Sequence, residues 1–292
     1  LNKLTHKYNL VGMHSELFAG SVKNDYLTFA TPIDTMSALA VSVIRVGVDD
    51  IADTRRLISN NVIQYDSIDF FSVADYALIV SYARKSNLIK GLSLGANTKI
   101  IYRHIGDFAT CWGFGFDLGA QLERNNWKFG VMAKDITTTF NAWTINSDEL
   151  RDTYLLTGND LPENSVEITL PRVILGVGRD FKIGDKFTAL VATDLDLTFD
   201  GKRNVLVRSG FVSIDPHVGA EIGYGGIVYL RGGINNIQQF KELDGSESWK
   251  VQPNFGVGVA MRGLTLDLAL SKIADNRNVS SVIVSLGYKF DR

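Results

Sequence analysis

Hydrophobic and polar residues alternate along most of this chain with a period of two, and the longest clear example runs from Trp112 to Asp135. Trp112, Phe114, Phe116, Leu118, Ala120 and Leu122 share one parity, while Gly113, Gly115, Asp117, Gly119, Gln121 and Glu123 share the other. Side chains alternate across a strand, so one face is apolar and the other is small or polar. After Arg124, Asn125 and Asn126 the alternation resumes, with Trp127, Phe129, Val131 and Ala133 against Lys128, Gly130, Met132 and Lys134. This predicts a hairpin. Its first arm is about twice the length of an average soluble strand and close to the roughly 9 to 11 tilted residues that cross a bilayer core.

The pattern recurs about fourteen times. Besides the hairpin, strands are expected near residues 8–15, 25–31, 37–48, 76–83, 92–103, 168–181, 187–197, 216–224, 227–234, 254–261, 264–271 and 282–290. Long connections are expected over 49–75 and 137–167, the latter with a short helix started by Asn146 and Glu149. Short turns near Pro32, Lys85, Asn125, Gly184, Gly225 and Arg262 alternate strictly with longer connections. In outer-membrane barrels that asymmetry separates short periplasmic turns from long extracellular loops. The predicted fold is therefore all-β: one transmembrane antiparallel up-and-down β-barrel over residues 1–292, with both termini periplasmic. Tyr288 and Phe290 beside Gly287 are similar to the C-terminal strand signal read by barrel-assembly machinery.

Composition supports this reading more than it extends it. A mean hydropathy of +0.04 and the lack of a run of about 18 apolar residues exclude a transmembrane helix. They do not count against a barrel, whose strands average to near neutrality. With 30 Lys and Arg against 32 Asp and Glu, the formal charge is -2, so no nucleic-acid partner is expected. Cys111 is the single cysteine, which excludes an internal disulfide or thiolate zinc cluster. Leu1 to Tyr8 show no signal-peptide pattern.

The expected inward parity carries Lys99, Arg103, Asp117, Glu123, Lys128, Lys134, Asp194, Asp196, Glu221, Asp267 and Lys289. Both signs are mixed, which favours a lumen stitched by paired charges over a single-sign selectivity ring. Asp194 and Asp196 share a face, a spacing that suits salt bridges better than a cation site here. His104 with Asp107 matches the residue types of a barrel-protease pair, and Ser213 lies near His217, but no nucleophile elbow accompanies either. Neither a catalytic residue, a metal site nor a cofactor is expected. Trp143, Leu150, Tyr154 and Leu155 concentrate apolar side chains in a long loop, as do Phe70 and Phe71 in an earlier one. These six are the candidate partner-binding residues, with a lid packed into the barrel's own mouth as the equal alternative.

The segments GMHSELFAGSVKNDYLTFATPID (12–34), IRVGVDDI (44–51), SVADYALIVSYARK (72–85) and KIIYRHIGDFATCWGFGFDLGAQ (99–121) resemble the PorV/PorQ family of outer-membrane proteins from Bacteroidetes. The resemblance covers most of the chain and is specific mainly in the first half. It implies a fourteen-stranded barrel like that of long-chain fatty acid transporters in a Gram-negative outer membrane. It also implies a non-enzymatic accessory of type IX secretion, partnered by a larger outer-membrane complex or by secreted proteins. Family members usually carry a small-residue-rich segment before the first strand, so a plug or hatch segment is expected to precede Leu1. Passive transport of a hydrophobic small molecule is the alternative function.

Overall fold

Fourteen antiparallel strands follow one another around a closed wall in the structure, a computed structural model that describes residues 1, 4–59, 62–241, 245–272 and 280–291. They are β1 (Tyr8–Leu17), β2 (Val22–Pro32), β3 (Ser37–Asp53), β4 (Asp69–Lys85), β5 (Leu92–Ile105), β6 (Ala109–Arg124), β7 (Trp127–Lys134 and Thr139–Ile145) and β8 (Ser165–Thr169 and Arg172–Ile183). The wall continues with β9 (Phe187–Thr198), β10 (Ser213–Tyr224), β11 (Val228–Lys241), β12 (Glu247–Met261), β13 (Leu264–Lys272) and β14 (Ser280–Phe290). Each pairs with its sequence neighbours, and β1 closes the ring on β14 from Tyr8↔Phe290 to Glu16↔Val282. Closure leaves no unpaired edge, the condition for a sheet to stand in hydrocarbon. No described helix is long and apolar enough to cross a membrane, so any crossing is by strands.

The alternation of the sequence becomes the two faces of the wall. On β6, Trp112, Phe114 and Leu118 project outward and are about half exposed, whereas Asp117 points inward at 2% exposure. Leu264, Leu266, Leu268 and Leu270 do the same on β13, opposite outward Val284 and Leu286 on β14. Aromatic pairs fringe the outer face at both rims, the arrangement of interfacial girdles. Tyr8 lies against Phe29 and Phe290, and Phe187 against Tyr224, near the short turns; Tyr76, Tyr102 and Trp112 lie near the long loops.

Several connections differ from expectation. Strands β3 and β4 run further than their alternation indicates, through a bulge between Val48 and Ile51 where Asp50 adopts a φ of 57°. The connection between them therefore covers only 54–68. The stretch expected to be irregular over 137–167 contains the second segment of β7, the first of β8, and helix α1 (Ser147–Thr157). Asn146 occupies the N-cap position without a side-chain cap; its amide instead donates to the Asp107 carbonyl. Connection lengths do not alternate strictly, because 106–108, on the long-loop rim, is shorter than 86–91 on the other. The asymmetry rests mainly on 54–68, 146–164 and 199–212.

Strands β7 and β8 are both interrupted at one height. Lys134 still pairs with Arg172, and Thr139 with Thr169, leaving 135–138 on one strand against 170–171 on the other. Pro171 lacks an amide to donate to the ladder, and Asp135 and Thr138 sit at φ of 54° and 60°. Glycine makes room beside the break: a Cβ on Gly115 would collide with the Thr139 hydroxyl, and one on Gly113 with the Asn141 amide oxygen.

Candidate functional site

The inward parity of the wall, read from the sequence as charged, is a set of ion-pair hubs. Lys99 is the most buried, with its Nζ 2.8 Å from Asp117 Oδ1 and 2.5 Å from Asp135 Oδ1. Asn97 donates to the other Asp117 oxygen at 3.2 Å, the Asp135 amide donates to Asp117 at 3.0 Å, and the Thr139 hydroxyl donates to Asp135 at 2.5 Å. Lys99, Asp117 and Asp135 are 8%, 2% and 9% exposed, so this hub is dry and clamps the start of the β7 break.

Nearer the long-loop rim, Arg103 donates to Asp75 at 2.9 Å and to Glu167 at 3.3 Å, with its guanidinium 5.0 Å from the Trp143 ring centre. The Trp143 indole N–H donates to the same Glu167 at 3.0 Å. Across the lumen, Arg231 bridges Glu221 at 2.6 Å and Asp267 at 2.5 Å. Arg172 pairs with Asp196 at 3.1 Å, and Lys128 with Asp180 at 2.7 Å. Glu123 accepts from Gln121 at 3.2 Å near the short turns. Asp194, beside Asp196 on the same face, has no ion-pair partner among the described residues. Most of these carboxylates therefore lie against a cation, but the Lys99, Arg103 and Arg231 hubs each set two carboxylates on one cation and remain net negative.

Between these hubs the wall of β4 to β9 is scooped out. Gly95 faces Gly119 across one ladder, and Gly130 faces Gly176 across another. With Met132, Ile174, Leu190, Ala192 and Leu1, they line an open cavity of about 450 Å³. Its polar groups, Ser93, Gln121, Lys128 and Asp194, are a minority of the lining. A second cavity of about 440 Å³ lies against the break, between Asp135, Glu167, Pro171, Arg172 and Arg203.

At the long-loop rim Arg55 ties three connections together. It chelates Asp53 through Nε at 3.0 Å and Nη2 at 2.7 Å, donates to the Glu149 carbonyl of α1 at 2.5 Å, and stacks 4.5 Å from the Phe108 ring centre. The adjacent charges hold the Asp53 carboxyl below the usual carboxylate range, the Arg55 hydrogen bond foremost. Phe71 is packed edge-on against Phe108 at 5.1 Å.

The six apolar candidates thus separate. Trp143 is not in a loop but on the inward face of β7, inside the Arg103 hub. Leu150 and Tyr154 are half-buried on α1, whereas Leu155 is 70% exposed, the unselected Leu156 88%, and Phe70 66%. His104 and Asp107 do not face the lumen: His104 points outward with Tyr76 and Tyr102, and Asp107 lies in the 106–108 turn. Ser213 is a structural hydroxyl, donating to the Gly201 carbonyl at 2.9 Å and accepting from the Arg203 amide at 3.0 Å.

Asp75, Asp135, Glu167, Arg172 and Arg231 complete the hubs and lie outside the set of lumen charges that the sequence predicts. Asp75 shares the parity of Ala77 and Ile79, and Glu167 that of Thr169, so an alternation extended by one or two residues would have found both. Asp135 sits where alternation breaks, and no periodic signal marks it.

No family model matches the chain, and no curated protein is similar to it in sequence. Among solved structures it is similar to the CymD monoaromatic hydrocarbon channel, at 12% identity and a TM-score of 0.60, over 100% of this chain and 91% of that one. The Ralstonia pickettii toluene transporter TbuX matches at 11% identity and a TM-score of 0.56, over 99% and 91% of the two chains. For the Pseudomonas putida toluene transporter TodX the values are 11% and 0.56, over 98% and 89%. At such identities the likeness is one of fold, and the chain is a closed β-barrel similar in build to those three proteins.

Proposed function

We propose that this barrel is a passive channel through which a small hydrophobic molecule crosses a Gram-negative outer membrane. In this reading the long loops and α1 face outward from the cell and both termini face the periplasm. The glycine-walled cavity inside the barrel carries the proposal. Its volume of about 450 Å³ falls within the roughly 300–1,000 Å³ of small-molecule sites, and most of its lining is apolar. On the described inward face cations are interleaved with the carboxylates, so no ring of a single sign that would select an ion is built there. Support also comes from the fold's similarity to barrels described as toluene transporters and a monoaromatic hydrocarbon channel.

The test uses Gly130, whose added Cβ would meet nothing within 4 Å. Gly130→Phe fills the cavity without a backbone clash. Intact cells expressing wild type are expected to take up radiolabelled toluene faster than cells expressing the variant at equal surface level. Equal uptake removes the channel reading.

One observation favours a second reading, a docking role at the long-loop rim: α1 leaves Leu155 and Leu156 in solvent beside no described partner side chain that covers them. Together with the PorV/PorQ resemblance, this supports a protein partner in type IX secretion. Pull-down from native membranes that recovers neither a translocon component nor a secreted protein counts decisively against it.

A further inference from the structure

Outside the lumen, the wall below α1 holds a second site. Two ladder rows run side by side on the outer face of β5, β6 and β7. The lower row is Tyr102↔Trp112↔Ala142 and the upper is His104↔Thr110↔Thr144. The lower row belongs to the aromatic girdle, with the Tyr102 and Trp112 ring centres 4.8 Å apart. The upper row replaces lipid-compatible side chains with an imidazole and two hydroxyls at the same outward parity. Above it the 106–108 turn and the start of α1 are locked together, the Asn146 amide nitrogen donating to Phe108 at 2.8 Å and its side chain to Asp107 at 3.0 Å. The result is an open concavity of about 840 Å³, lined by Tyr102, the polar row, Asp107, Asn146 and Glu149.

We propose that this cavity binds a neutral glycan at the level of the outer-leaflet headgroups. The chemistry selects the ligand class. No lysine or arginine lines the cavity, and two carboxylates do, although that of Glu149 lies 3.8 Å from Arg55; Asp107 foremost therefore disfavours phosphate and carboxylate groups. Carboxylates accept strongly from hydroxyl donors, the threonine hydroxyls and imidazole both donate and accept, and a ring face receives the apolar C–H side of a sugar. A volume of about 840 Å³ is far larger than an ammonium group requires and accommodates a disaccharide. The girdle immediately below is where hydrocarbon gives way to headgroups. Free oligosaccharide and a glycolipid headgroup share this chemistry. The site is separate from the cavity of the proposed channel, and loss of hydrocarbon uptake leaves it intact.

The probes are maltose and dodecyl maltoside, which carry the same disaccharide without and with an acyl tail, titrated by calorimetry into the whole barrel held in a sugar-free amine-oxide detergent. Dodecylphosphocholine, whose zwitterionic headgroup carries a quaternary ammonium and no sugar, serves as the non-glycan headgroup control. Binding of maltose identifies the glycan as sufficient, and binding of dodecyl maltoside alone identifies a lipid-linked glycan; either supports the site. Asp107→Ala with Thr144→Val is expected to weaken binding at least tenfold while the barrel keeps its unheated gel mobility. The proposal is overturned if neither maltoside probe binds, if the double variant binds as wild type does, or if dodecylphosphocholine binds as tightly.

Discussion

Replacing Lys99 by methionine removes the one cation from the dry hub while nearly preserving side-chain length. It leaves Asp117 and Asp135, at 2% and 9% exposure, facing each other without the ammonium that now lies 2.8 and 2.5 Å away. Breaking a buried pair by deleting one partner costs about 3–5 kcal/mol, because the remaining charge keeps its desolvation penalty. Lys128→Met provides the internal control. Its pair with Asp180 spans 2.7 Å, but the side chains are 29% and 44% exposed, which places the loss within about 0–1 kcal/mol. The triple variant Lys99→Met, Asp117→Asn, Asp135→Asn leaves no net charge in the hub and should recover more than half of the deficit. Urea titration of the detergent-held barrel, scored by unheated gel mobility, measures all three. Equal midpoints for Lys99→Met and Lys128→Met, or a triple variant weaker than Lys99→Met, would refute the account of the hub as an ion-paired clamp.

Three further outcomes follow from other parts of the wall. Leu268→Arg places a cation on the outward face between Val257 and Val284 and should destabilise the bilayer-inserted barrel by about 2–4 kcal/mol in the same titration done in vesicles, whereas Ser285→Arg on the inward face should cost less. Arg55→Ala deletes the charge-assisted bond to the α1 carbonyl, worth about 1.5–3 kcal/mol, so limited proteolysis within 146–164 should accelerate roughly tenfold or more with the barrel intact. In the 33–36 turn, Asp34 accepts from the Met36 amide at 2.6 Å and the Ser37 amide at 2.7 Å, and these bonds, Met36 foremost, hold its carboxyl below the usual carboxylate range. A depressed folded value means its stabilisation is present above the unfolded carboxylate value and is lost as pH falls through the lower, folded one. Amide exchange at Met36 and Ser37 should therefore accelerate only on strong acidification, and Asp34→Ala should abolish that pH step.

Period-two alternation made the wall legible because a barrel strand has only two environments, and a residue's parity decides between them. On β5 and β6 parity separates Lys99 and Asp117, both buried, from Trp112 and Phe114, both about half exposed. The rule loses force wherever the chain stops alternating. Trp143 looked like a loop residue because the break at 135–138 shifts the register of β7 and hides the short alternation Phe140, Ala142, Thr144 against Asn141, Trp143. The 54–68 connection is shorter than alternation predicts for the related reason that β3 and β4 continue past the apolar band with polar and mixed residues, 49–53 and 69–75, paired through a bulge.

The same limit explains why both candidate sites were out of reach of the pattern. The lumen cavity is made of glycines, and a glycine on the inward parity reads as merely small; only pairing shows that Gly95 meets Gly119, and Gly130 meets Gly176, so that several absences of side chain coincide in space. His104, Thr110 and Thr144 come from three strands and become one row only through register, since nothing in their sequence spacing relates them. In a barrel, then, parity specifies which face a residue meets, but register specifies which residues meet each other. Chemistry needs the second. A one-residue slip on β7 would send Thr144 to the lumen and Trp143 to the outer face, dismantling the Arg103 hub and the outer polar row together. The buried Lys99 clamp fixes Asp135 where β7 breaks and, through the Thr139 hydroxyl bonded to Asp135, the residue where β7 resumes, and so sets that register for both sites.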